Sequence, residues 1–144
     1  MIPANFYRLT SWKNKRNGAI AEKVGTVNFI DFKTADNLLA GMEFSLTNLL
    51  GDKMASVQGG TVVGRSLGNL EPDVIFDSPH GIITPRTENF YITGVSFYNF
   101  NWDKAAALGT CSHCFHPAAT DSGARTIKLS DLTFDESVTK RIRY

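Results

Sequence analysis

Thr26-Val27-Asn28-Phe29-Ile30-Asp31-Phe32 returns almost in full as Gly94-Val95-Ser96-Phe97-Tyr98-Asn99-Phe100. Both phrases run small or polar, β-branched, polar, Phe, apolar, Asn or Asp, Phe, so the same faces recur in the same order. Shorter echoes stand at Gly41-Met42-Glu43-Phe44 and Asp131-Leu132-Thr133-Phe134. In each, the side chains two apart fall on one face of a strand. A lone strand of this kind cannot bury its face, whereas stacking on the next copy can, and recurring phrases therefore argue for a solenoid. Val27 and Val95 stand 68 positions apart, and Val95 and Leu132 stand 37 apart. With a parallel β-helix coil of about 20 to 25 residues, the first interval predicts three coils and the second one coil plus an insertion. The sequence thus predicts an all-β chain, a parallel β-helix (solenoid) over residues 1–144, with an inserted loop at about 101–125. Asp31 and Asn99 fall at equivalent places, where stacked side chains can pair as a ladder or form ordinary Asx turns.

Composition agrees with one domain of strands and turns. The chain has 144 residues, 42% of them hydrophobic, with ten Phe and twelve Gly, enough for one core and too few for two domains. A β-sandwich or α+β domain is the alternative that the repeat argues against. The net charge is +1, but residues 1–24 carry five Lys/Arg against one Glu, and residues 25–124 carry five against ten acids. A nucleic-acid reader needs a basic stripe with exposed stacking aromatics. Here the aromatics belong to the strand phrases, and Lys13-Asn14-Lys15-Arg16-Asn17 reads as a solvated turn, so no nucleic-acid partner is expected.

No stretch approaches the ~20 apolar residues of a membrane span, and Met1-Ile2-Pro3-Ala4-Asn5 lacks a signal-peptide pattern. The alternating run Val138–Tyr144 ends without a polar cap. Because solenoids need capped ends, the chain reads as a fragment of a longer one or as covered by a partner, and any membrane anchor falls outside this segment. It contains no Asn-x-Ser/Thr sequon.

The densest local chemistry lies at Cys111, His113, Cys114 and His116, which hold both cysteines and two of the three histidines. Thiolate with imidazole suits zinc or copper. Four ligands within six positions converge poorly, however, because closed zinc sites draw a second pair from elsewhere. A Cys111–Cys114 disulfide and a pair of reduced thiols stand beside the metal reading. Redox catalysis is disfavoured, since a catalytic C-x-x-C opens a helix and Pro117 among small residues reads as loop. Asp73 with Asp77, or Glu88 with Asp103, are candidate acid pairs for sugar hydrolysis, though surface acids on a solenoid mostly solvate it. His80, between Pro79 and Gly81, reads as an exposed turn residue. Thr120-Asp121-Ser122-Gly123 reads as an Asx-type turn.

Several stretches together resemble the fibrocystin-L/fibrocystin family: Gly81-Ile82-Ile83-Thr84-Pro85-Arg86-Thr87-Glu88-Asn89-Phe90, Phe97–Phe100, Ala106–Pro117 with its Cys-Ser-His-Cys-Phe-His core, and Thr120–Thr126. Trp12-Lys13-Asn14, Gly18-Ala19 and Val24–Phe32 also look like that family's β-helix region, so the likeness covers nearly the whole chain. The resemblance implies a right-handed β-helix within a very large extracellular, cell-surface glycoprotein. In that family it follows immunoglobulin-like repeats and G8 domains, with a single membrane anchor elsewhere. The expected role is non-catalytic, structural or adhesive, with an elongated surface for protein partners, neighbouring β-helix segments or glycans. More distant relatives act on hyaluronan, so the alternative is a carbohydrate-active β-helix that binds or cleaves an acidic polysaccharide. Arg86, Arg125 and His80 are its candidate glycan contacts. No catalytic residue carries over from the family, and no cofactor is expected beyond zinc or copper at the Cys/His loop.

Overall fold

Val27, Phe29, Phe32 and Thr34 are buried while Asn28, Lys33 and Ala35 face outward, so the inward positions step by two, then by three, then by two again. The step of three falls at Asp31, whose φ is 54°. A left-handed residue turns the strand through a corner, so that both arms present side chains to one interior.

The computed structural model describes residues 3–22, 25–37, 40–45, 55–64, 80–84, 89–100, 114–116 and 126–135. No helix occurs among them. The described strands are β1 (Ala4–Tyr7), β2 (Thr10–Trp12), β3 (Ala19–Glu22), β4 (Val27–Ala35), β5 (Ala40–Ser45), β6 (Ala55–Val63), β7 (His80–Ile83), β8 (Asn89–Thr93), β9 (Ser96–Tyr98), β10 (Phe115–His116), β11 (Thr126–Ser130) and β12 (Thr133–Phe134).

Every pairing among the described strands is parallel. The larger sheet runs β1-β4-β6-β8-β11, with β2 on β4, β9 on β6 and β12 on β9. The smaller runs β3-β5-β7-β10. In both, the neighbour in space is the next pass of the chain.

The interior lies between the two sheets. Phe6 stacks on Phe29, Phe29 meets Phe44 edge-on across the gap, Phe44 meets Phe90, and Phe90 stacks on Phe115, with ring centroids 5.0, 5.7, 4.6 and 6.2 Å apart. Val27 and Val95 belong to this one cluster, and the partly buried Leu132 packs against it. Full burial of each such side chain contributes on the order of 2–3 kcal/mol.

The register corrects two details of the repeat. Thr133 pairs with Ser96 and Phe134 with Phe97, so Leu132 does stand one pass beyond Val95. Phe97, however, aligns with Val62 and through it with Thr34, not with Phe29. The two long phrases are the same local object, an inward Phe, a left-handed Asx and an inward Phe, placed at different corners. Phe29–Phe32 and Phe97–Phe100 accordingly meet edge-on at 5.5 and 6.1 Å. The first corner repeats as Arg8, Asp31, Gly59, Gly94 and Asp131, all at positive φ. Asn99 belongs to the second corner, with Lys13 and Asp36. The first pass has the expected length and the later ones are longer: partners lie 23 residues apart between β1 and β4, but 28 between β4 and β6, 35 across the second corner from Gly64 to Asn99, and 37 between β8 and β11. Val27 to Val95 is therefore two passes and five residues, not three passes.

Met42 and Phe44 lie in the smaller sheet, whereas Phe134 lies in β12 of the larger one, with Leu132 just before it. That echo reflects shared inward alternation, not shared position. Of the inserted loop expected at about 101–125, residues 114–116 are described, and there Phe115 and His116 pair with Ile82 and Ile83 as a strand of the smaller sheet.

Candidate functional site

Outward positions form rows across the larger sheet, because parallel in-register pairing sets equivalent side chains one strand spacing apart, about 4.8 Å. The arm before the first corner carries a polar row. Asn28 Nδ2 donates to Asn5 Oδ1 at 2.9 Å, Ser56 Oγ to Asn28 Oδ1 at 2.6 Å, and Gln58 Nε2 to Ser56 Oγ at 2.9 Å. Further along, Ser130 Oγ donates to Thr93 Oγ1 at 2.9 Å and lies 3.1 Å from the Tyr91 hydroxyl. The side-chain ladder thus runs through Asn28 and not through Asp31, whose register partners at the corner are Arg8 and Gly59.

The arm after the first corner is different. Two rows run through it: Thr10, Lys33, Thr61 and Ser96, and then Trp12, Ala35, Val63 and Tyr98. Small side chains in the middle of the second row leave an open groove of about 400 Å³, lined by Thr10, Ser11, Trp12, Lys33, Thr34, Ala35, Thr61 and Val63. Trp12 is 62% exposed at one rim. Tyr98 continues the row beyond Val63 and is 38% exposed. Lys33 is exposed, and no carboxylate occurs among the described lining residues.

The Trp12 rim is held by the turn that follows it. Lys13 N donates to Ala35 O at 3.1 Å. Asn14 Nδ2 and N donate to Asn37 Oδ1 at 2.8 and 3.1 Å, and Asn37 Nδ2 donates to the buried Thr34 Oγ1 at 2.6 Å. Ser11 Oγ accepts from Asn14 Nδ2 at 2.8 Å and donates to Gly18 O at 2.7 Å. The Lys13–Asn17 run is a turn as the sequence suggests, solvated except at Asn17, which is buried and donates to Glu43 Oε2 at 2.6 Å.

The residues singled out from the sequence lie elsewhere. His80 is 6% exposed and opens β7, a central strand between β5 and β10. It is therefore not an exposed turn residue and has no access to a polymeric glycan; its pairing opposite the small Ala40 gives it an interior place. Cys114 is fully buried in the core cluster, and its carbonyl accepts from Ile82 N at 2.8 Å. It stands as core rather than on a projecting loop. The backbone of His116 lies in β10. Cys111, His113, Arg86, Arg125, the acids Asp73, Asp77, Glu88 and Asp103, and Thr120–Gly123 fall outside the described residues. No cluster of three or more His, Cys, Asp or Glu with metal-binding geometry occurs among the described ones.

Sequence reasoning passed over Trp12, Lys33 and Tyr98. Thr10-Ser11-Trp12 alternates as a strand should, but only the register reveals that Ala35 and Val63 lie beside Trp12 and leave its ring uncovered. Comparisons with protein-family models, with curated protein sequences and with solved structures return no match.

Proposed function

We propose that this chain is a segment of a right-handed parallel β-helix of the fibrocystin-L/fibrocystin type, serving as a non-catalytic structural or adhesive part of an extracellular cell-surface glycoprotein. One observation carries the reading. The chain returns to the same two sheets on successive passes, each strand pairing in parallel with the corresponding strand of the pass before. Such stacking yields an extended, side-chain-decorated face, a geometry suited to contact over length. The groove by Trp12 lies on that face and lacks the paired carboxylates that sugar hydrolysis requires among its described lining. Binding, not turnover, is the role it supports.

Beads coated with the purified chain test this. They are expected to be retained on cultured cells above albumin-coated beads, and incubation of the chain with hyaluronan is expected to leave the polymer's size distribution unchanged. Retention no greater than albumin overturns the adhesive reading. Shortening of the polymer replaces it with the carbohydrate-active alternative.

A further inference from the structure

We propose that the groove over β2, β4 and β6 is a subsite for an acidic saccharide, with Trp12 stacking on a pyranose face and Lys33 pairing with a carboxylate on the same or the adjoining sugar. The inference deepens the contact role above and rests on it only for its biological setting; the chemistry is local.

Three observations converge. First, Trp12 is 62% exposed although its backbone is placed by pairing with Ala35 of β4 and by the Lys13 N to Ala35 O bond that follows it. A bare indole on a strand whose backbone is fixed is an apolar platform with a polar N–H at its edge. Sugar C–H faces lie flat on such rings. Second, the floor is low because its outward residues are Ala35, Thr61 and Val63, and the Thr10 and Thr61 hydroxyls border it in register with Lys33. Third, Lys33 is the cation among the described lining residues, with no lining carboxylate to neutralise it. A ligand carboxylate completes that charge.

The dimensions select against a protein helix. From the Trp12 row position to that of Val63 is two strand spacings, about 10 Å before side-chain bulk is subtracted, whereas a helix with its side chains is about 10–12 Å across. An added strand has no purchase either, because the groove lies on a sheet face whose backbone groups are already paired. From Trp12 to Tyr98 is three spacings, about 14 Å, long enough for a short oligosaccharide to run perpendicular to the strands.

Calorimetry on the full chain provides the test, with an octasaccharide of alternating glucuronate and N-acetylglucosamine, a neutral cello-oligosaccharide of equal length, and polyglutamate as a charged non-sugar. Trp12→Ala and Lys33→Gln alter exposed side chains, and thermal melting confirms that each variant is folded. The acidic oligosaccharide is expected to bind wild type more tightly than either other probe. Trp12→Ala is expected to weaken it at least tenfold, and Lys33→Gln to abolish the preference for acidic over neutral sugar. Equal binding of polyglutamate, or affinity unchanged by Trp12→Ala in a folded variant, overturns the site and identifies a plain cationic surface or a protein-contact face. Bead retention that persists in Trp12→Ala leaves the adhesive reading standing while this site falls.

Discussion

At the scale of single residues, the tyrosine row shows how stacking tunes chemistry. Tyr91 is drawn below the usual tyrosine value of 10.0, first by hydrogen bonding from Ser130 and then from Thr93; partial burial and Asp131 oppose this, and Lys128 adds a smaller push downward. Ionised, the phenolate accepts from Ser130, diagonal to it on the next pass, and from Thr93, two residues along its own strand. An acid whose folded value is depressed contributes nothing to stability at neutral pH, where it is protonated in both states. Its contribution appears as pH rises through the folded value, and is complete above the unfolded one. In an alkaline titration followed at 295 nm, Tyr91 is expected to ionise below an ordinary tyrosine, and Tyr91→Phe to remove that early phase. Superimposable normalised titrations of wild type and Tyr91→Phe would contradict the hydrogen-bonded row.

At the scale of elements, the start of each strand in the smaller sheet depends on a column of small residues: Gly18, Gly41 and Gly81, with Cys114 in the fourth place. A Cβ on Gly41 would sit 2.7 Å from Gly81 O and 2.9 Å from Thr34 Cγ2, and one on Gly18 would collide with Thr34 Oγ1. The close approach leaves room for the Thr34–Asn37 network that turns the chain from one sheet toward the other. Gly41→Ala is therefore expected to destabilise the fold by about 2 kcal/mol or more, read as a lower urea midpoint. An unchanged midpoint would mean that the column gives way freely. Strand content and parallel stacking were legible in the sequence because inward Phe and Val alternate in every phrase. The equivalence of Val95 with Leu132 was legible for the same reason. Register was not. Phe29-Ile30-Asp31-Phe32 and Phe97-Tyr98-Asn99-Phe100 look alike because each sets a left-handed residue between two inward rings, and this local pattern says nothing about which corner it is. The groove was hidden by the same gap, since Trp12 becomes a platform only when Ala35 and Val63 are known to lie beside it.

At the scale of the whole molecule, each pass touches mainly the pass before and the pass after, so stability is set by neighbours and need not be uniform. Phe44 is the side chain on which this turns: it belongs to the smaller sheet yet meets Phe29 and Phe90 of the larger one, on two different passes. It is fully buried, whereas Phe6, stacked on Phe29 at the far edge, is 42% exposed. Removing Phe44 unfastens two passes and both sheets together, at about 3–5 kcal/mol; removing Phe6 affects one edge strand. Native-state hydrogen exchange separates these cases. Amides of β4, β6 and β8 are expected to exchange last and those of β1 and β2 first, because among the described strands β1 and β2 pair with β4 alone. Phe44→Ala is expected to bring the central amides down toward the edge ones, and Phe6→Ala to speed exchange in β1 while sparing β6. Uniform protection across all strands, or equal effects of the two substitutions, would show a single cooperative core in place of passes coupled through their neighbours.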